Sequence, residues 1–283
     1  MRRRLAILTA ALGAALASVG TAGATTFYLS TDAAAPGTTM GTPPVTFPNG
    51  SVVQYEDTTD AATEFFFESV FNGGAGGENL DAFELLPNGH MILSTAGQAT
   101  IGALTFQNDD LVDYDPVSGT AMVIFDGGSV FEIPGASNVD AVAVLSNGNL
   151  LISTDVTQSV NGSSFFDGDV FEYDPLTGNA TPYFSEALFG ADQNVDAFDV
   201  LDDGRIALST ALTASLGGLV NFDNGDLVLY DPVAGTATIW LPESVFASAP
   251  EDIDAVAVPE PNTLGLLALG LVGLAFVGAR RQP

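Results

Sequence analysis

Val139-Asp140-Ala141-Val142-Ala143-Val144-Leu145-Ser146-Asn147-Gly148-Asn149-Leu150-Leu151-Ile152-Ser153-Thr154 is a stretch that the chain writes more than once. It recurs as Leu80-Asp81-Ala82-Phe83 through Asn88-Gly89 to Leu93-Ser94-Thr95, and again as Val195-Asp196-Ala197-Phe198 through Asp203-Gly204 to Leu208-Ser209-Thr210. Its first half returns as Ile253-Asp254-Ala255-Val256-Ala257-Val258, and its second half stands alone near the start as Phe27-Tyr28-Leu29-Ser30-Thr31. The aspartates at 81, 140, 196 and 254 are 59, 56 and 58 residues apart. A fixed period of this length marks a repeat architecture in which each period is one supersecondary unit.

Each full unit reads as four strands. The first is the run that follows the aspartate, 140–145 in the quoted stretch. An Asn-Gly or Asp-Gly turn returns it into the second, 149–154, a strong short-range hairpin signal. A loop of small polar residues follows, at 96–105 and 211–221. The third strand opens after Asp110, Asp169 or Asp226 and carries a tyrosine at its end, Tyr114, Tyr173 or Tyr230, with Tyr55 in the first unit. Pro-initiated turns such as Asp115-Pro116-Val117-Ser118-Gly119 lead to the fourth strand, and a small apolar knot such as Ser129-Val130-Phe131 closes the unit.

Four strands per repeat is the pattern of a β-propeller, and the repeat resembles the blades of NHL-like or lactonase-like propellers. Those rings usually have more blades. Here the chain starts with the last three strands of a unit, runs through three complete units and ends on a lone first strand. The segment 254–258 therefore pairs with 27–31 to complete the first blade and leave no open sheet edge. The reading is all-β: a propeller of four four-stranded blades over 25–258, with an open array or a dimeric eight-blade ring as the alternative.

The charge is one-sided. Asp and Glu total 35 against six Lys and Arg, and five of those six lie near the termini: Arg2, Arg3, Arg4, Arg280 and Arg281. Between Thr25 and Val258, Arg205 is the only Lys or Arg. No basic patch exists to neutralise phosphates, which excludes nucleic acid as a partner. The absence of cysteine excludes disulfides and thiolate metal sites. The acidity reads either as a solubility device or as a set of cation ligands.

The ends read as addresses. Arg2-Arg3-Arg4, an apolar stretch from Leu5, and the small residues Ala22 and Ala24 form a secretory signal peptide over 1–24, cut by signal peptidase. At the other end come Pro259-Glu260-Pro261, an apolar run at 264–279, and Arg280-Arg281. Sixteen residues at about 1.5 Å each give roughly 24 Å, and flanking arginines can snorkel to cover the rest of a bilayer core of about 30 Å. This tail, 259–283, resembles the PEP-CTERM sorting signal of Gram-negative bacteria. The resemblance implies a membrane-spanning helix held in the inner membrane before processing by an exosortase, and a cell-surface or extracellular destination. It also implies an association with extracellular polysaccharide and biofilm matrix.

The repeat gathers its carboxylates at one end. If the first strand lies nearest the axis, Asp81, Asp140, Asp196 and Asp254 begin it at one height, with Asp110, Asp169 and Asp226 behind them as weaker candidates. Four carboxylates around a narrow axis repel one another unless protons or a cation intervene. Oxygen-only ligands suit a hard cation such as Ca²⁺, while an aspartate at a strand start can equally cap backbone N–H groups. His90 reads as a solvated surface residue, Trp240 as packing, and Arg205 as the partner of Asp202 or Asp203. With no thiol, no lysine and a lone histidine, the residues favour a non-catalytic binding or matrix module, calcium-dependent in one version. The alternative is a metal-dependent hydrolase or lyase at the acidic face. The likeness of the four aspartates favours the first, because a catalytic site usually breaks a repeat at one unit.

Overall fold

Among the described residues, apolar runs punctuated by Asn-Gly, Asp-Gly and Asp-Pro turns fold into four antiparallel four-stranded sheets, three from one continuous repeat each and one from the two ends of the repeat region. The computed structural model describes residues 25–32, 37–71, 78–132, 137–247 and 251–259. The signal peptide and most of the sorting tail, from Glu260 onward, lie outside the described residues.

The second blade runs Leu80–Leu85, Met91–Thr95, Leu111–Asp115 and Thr120–Phe125 from inside to outside. The third runs Val139–Val144, Leu150–Thr154, Val170–Asp174 and Asn179–Phe184, and the fourth Ala197–Val200, Ile206–Ser209, Leu227–Asp231 and Thr236–Leu241. The first blade takes its inner strand, Ile253–Ala257, from the far end of the chain and adds Thr26–Thr31, Val52–Glu56 and Ala61–Phe66. Leu29 faces Val256 and Tyr28 faces Ala257 across that seam. The ring of four blades therefore closes within one chain.

The four inner strands pack against one another around the axis. Small side chains make this possible: Ala82, Ala141, Ala197 and Ala255, each next to a repeat aspartate, are buried between neighbouring inner strands. The apolar core is accordingly not central but divided into four wedges between blades. Tyr114, Tyr173 and Tyr230 each meet a phenylalanine of the preceding blade, Phe66, Phe125 and Phe184, at centroid distances of 6.1, 5.1 and 6.3 Å. Trp240 of the fourth blade packs edge-on against Phe27 of the first at 4.9 Å.

The loops expected at 96–105 and 211–221 are instead two-stranded ribbons, Ala99–Ile101 with Leu104–Phe106 and Ala214–Leu216 with Val220–Phe222. The first and third blades carry the same device, Thr38–Met40 with Val45–Phe47 and Gln158–Val160 with Ser163–Phe165. Alternation explains them. Ile101 and Phe106 are buried, whereas Thr100 and Thr105 face out and join hydroxyls at 3.0 Å. Each apolar knot plugs the next blade's ribbon, as in the bridges Phe71 to Ile101 and Phe189 to Leu216.

His90 also departs from expectation: it is half-buried, and its Nδ1 lies 2.8 Å from Asp113 Oδ1. Arg205 Nε donates to Asp203 Oδ2 at 2.8 Å, as its position suggests.

Candidate functional site: the acidic axial pocket

A bulge aims the repeat aspartates. On the second blade Leu80 pairs with Thr95 and Ala82 with Ser94, so Asp81 is the extra residue that the ladder skips. Asp140 is skipped in the same way between Val139 and Ala141, and Asp254 between Ile253 and Ala255. A bulge re-aims one side chain while the strand continues. At these three positions the side chain is turned to the axis, and Asp196 reaches it from the residue before Ala197–Val200.

The pocket they line holds about 250 Å³ at one end of the ring axis. Its floor is Asp81, Asp140, Asp196 and Asp254, all buried. Above each floor residue stands the residue two positions earlier: Asn79, Asn138, Asn194 and Asp252. Asp32 and Asp155 complete the mouth, and no basic side chain is among the described lining residues.

The asparagines stitch the blades together. Asn138 donates to Asp81 Oδ2, Asn194 Nδ2 donates to Asp140 Oδ2 at 2.7 Å, and Asn79 donates to Asp254. At each of these three junctions an amide from one blade satisfies a carboxylate of its neighbour. At the fourth junction, between Asp196 and the first blade, the amide is replaced by the carboxylate of Asp252. Several acceptors in the pocket are left buried without a partner: Asn79, Asn138 and Asn194 Oδ1, Asp252 Oδ1 and Asp254 Oδ2. A buried acceptor without a donor costs about 1–3 kcal/mol.

Burial and mutual repulsion raise every floor carboxyl. Desolvation, then the charges of Asp32 and Asp155, push Asp81 up to about 7 against the pull of Asn138. Asp140 is pushed well above the usual carboxyl range by burial and the charge of Asp81. Asp196 and Asp254 are raised likewise, by burial first and then by their neighbours in the ring. Burial raises Asp252 to about 7, although Asn224 donates to it.

Asp110, Asp169 and Asp226 are not brought to this pocket. Each holds the turn before its strand to the turn after the outer strand: Asp169 accepts from Phe166 N at 2.9 Å and Glu186 N at 2.8 Å. Asp110 does the same with Gln107 and Gly127, and Asp226 with Asp223 and Glu243. The hydroxyls at the strand ends also serve the backbone, as when Ser209 Oγ donates to the carbonyls of Asn224 and Asp226. Replacing Asp169 with Ala should therefore lower the urea-unfolding free energy by about 3 kcal/mol, for two charge-assisted bonds lost, and leave cation titrations of the pocket unchanged.

A second pair of axial carboxyls lies towards the opposite end. Backbone amides of Leu85 and Val144 donate to Glu84, while Val200 N and Val258 N donate to Asp199 at 2.6 and 2.7 Å. Each therefore ties its own inner strand to the next. Burial, then the charge of Asp199, pushes Glu84 well above the ordinary range.

Comparison with known families bears on the end of the chain. A model described as the PEP-CTERM protein-sorting motif matches residues 257–282. The chain carries a PEP-CTERM sorting motif. This marks the protein for export, sorting to the cell envelope and exosortase processing. No helix among the described residues is long and apolar enough to cross a membrane.

A search of curated proteins finds no match. Among solved structures, the chain is similar to the extracellular domain of a putative one component system from B. thetaiotaomicron. The identity is 13% and the TM-score 0.29, over 69% of this chain but only 20% of the other. A protein of unknown function from Bacteroides caccae matches at 10% identity and TM-score 0.37, over 84% of this chain and 100% of its own. Virginiamycin B lyase from Staphylococcus aureus matches at 8% identity and TM-score 0.31, covering 71% of this chain and 53% of the lyase.

Proposed function

We propose that this is an exported β-propeller of the Gram-negative cell surface or matrix that works as a binding module, its axial pocket taking a hard cation such as Ca²⁺. The observation that carries this reading is the convergence of seven aspartates and buried, unpartnered oxygens on about 250 Å³ with no basic counter-charge in the lining. Carboxylate and amide oxygens are the ligands a calcium ion selects. The inner strand Ile253–Ala257 starts at the pocket and runs to the opposite end of the ring, where the sorting motif begins at residue 257. A bound calcium could then bridge to the carboxylates of an extracellular polysaccharide.

Isothermal titration of chelator-treated protein with calcium chloride tests the reading. Saturable binding that weakens when Asp196 and Asp254 are both replaced by Asn supports it, and heats equal to those of buffer dilution reject it. Metal-dependent hydrolysis is a second reading, favoured by one observation: Asp252 breaks the repeat within the pocket. Turnover of a lactone, phosphoester or polysaccharide substrate that disappears in Asp140→Ala would put it in place of the first.

A further inference from the structure

Three of the four inter-blade junctions around the pocket share one arrangement, an asparagine amide set on the neighbouring blade's aspartate. The fourth cannot be built that way. Its two facing side chains, Asp196 and Asp252, are both acceptors when ionised, and Asp254 stands beside them. One carboxylate oxygen from each of the three lies within 4.8 Å of the others, a spread that a single ion with bonds of about 2.4 Å can span. Two further facts point to a ligand there rather than to a mere crowd of charges. Asp254, only 7% exposed, keeps its Oδ2 buried without a donor, and Asp252 Oδ1 is buried in the same condition. Asp254 is already served by Asn79 of the second blade, so the oxygen it leaves bare is not explained by a missing amide, and the fourth junction is the one at which a carboxylate instead of an amide faces Asp196.

We infer that the pocket holds a single calcium ion off the ring axis, between the fourth and first blades, with Asp196, Asp252 and Asp254 as its protein ligands. The inference rests on the cation-binding reading above and narrows it to one junction. The ion takes the place of the absent amide, and the remaining coordination positions are open to water through the pocket mouth, where Asp32 adds a fourth negative charge. It also joins the inner strand of the fourth blade to Ile253–Ala257, the strand that closes the ring and runs directly into the sorting motif. Calcium therefore acts as a clasp between the fourth blade and the strand that forms the seam.

Asp252→Asn is the decisive variant, because asparagine is the residue the other three junctions already carry. Titrated with calcium chloride, the purified wild-type chain should bind one ion, and Asp252→Asn should bind it at least tenfold more weakly. Asp81→Asn, which alters a carboxylate already served by Asn138, should weaken binding no more than threefold. In chelator at pH 8, Asp252→Asn should unfold at a higher temperature than wild type, because its amide now reaches Asp196. Hydrogen exchange of the 253–258 amides should slow on adding calcium in wild type but not in Asp252→Asn.

Wild-type affinity in Asp252→Asn, equal weakening by Asp81→Asn and Asp252→Asn, or a lower unfolding temperature for Asp252→Asn in chelator would each overturn the off-axis site while leaving an axial one standing. Absence of calcium binding by wild type would overturn both.

Discussion

Freed of divalent cations, the folded protein should become more stable as pH falls from 8 to 5, the reverse of ordinary acid denaturation. The cause lies in the pocket floor, where burial raises Asp81, Asp140, Asp196 and Asp254 together, and Asp252 with them. A carboxyl whose pKa is higher in the folded state binds more protons there than in the unfolded chain across the interval between the two values. Its stabilising contribution is complete below the unfolded value and is lost as pH rises through the folded one. For Asp81 the interval runs from 3.8 to about 7, which corresponds to about 4 kcal/mol in full and to roughly 2.7 kcal/mol between pH 8 and 5. In a domain of this size the latter is a shift of about 7 °C in the unfolding midpoint. Below about pH 4 the trend should turn over, because exposed turn carboxylates such as Asp115 and Asp174, held low by the hydroxyls of Ser118 and Thr177, then lose their bonds. Calorimetric scans in chelator at pH 5, 6, 7 and 8 check the sign. A midpoint that climbs steadily from pH 5 to 8 contradicts the assignment of burial and repulsion as the dominant effects.

Removing the last inner strand should have an effect at least as large. A chain ending at Asp252 loses Ile253 and Val256, both essentially inaccessible to solvent, together with the hydrogen-bonded ladder to Thr26–Thr31. Truncating a buried aliphatic side chain costs about 2–5 kcal/mol. Here two are lost while Phe27 and Leu29, also fully buried, are left beside a bare sheet edge. The total approaches the 5–15 kcal/mol that holds a typical domain together. The truncated chain should show no cooperative thermal transition and should bind hydrophobic dyes, whereas a chain ending at Val258 should unfold in one transition. Cooperative unfolding of the shorter chain would mean that the ring does not depend on its seam.

The fold was legible because one grammar repeats. Turn residues at Asn88-Gly89, Asn147-Gly148 and Asp203-Gly204 fix the hairpins, and the lone half-repeats at the two ends supply the strand that completes the first blade. The aspartate ring was legible for the same reason. The ribbons were harder to see because their strands are three residues long and set only one or two apolar residues among Ala, Ser, Thr and other polar residues, although Asn161-Gly162, with positive φ at both residues, carries a hairpin signal of its own.

The role of Asp110, Asp169 and Asp226 was not legible, since periodicity cannot distinguish a carboxylate that caps a turn from one that faces a pocket. The expectation that all four units are alike at the acidic face holds for the floor and fails one tier above it. Reading the motif from two residues earlier, as Asn79-Leu80-Asp81, Asn138-Val139-Asp140, Asn194-Val195-Asp196 and Asp252-Ile253-Asp254, exposes the exchange of Asn for Asp. What that exchange does depends on which side chain of the next blade it faces, and only the closed ring supplies that. Glu84 and Asp199 escaped notice because alanine stands at the matching positions, Ala143 and Ala257, so the repeat hides a pair that alternate blades provide.

Diffraction from crystals grown with calcium chloride, measured at a long wavelength where calcium scatters anomalously, tests the central claim most directly. The account predicts one anomalous peak in the axial pocket, within bonding distance of Asp196, Asp252 and Asp254. A pocket without anomalous density at millimolar calcium would contradict it and leave the raised carboxyls neutralised by protons alone.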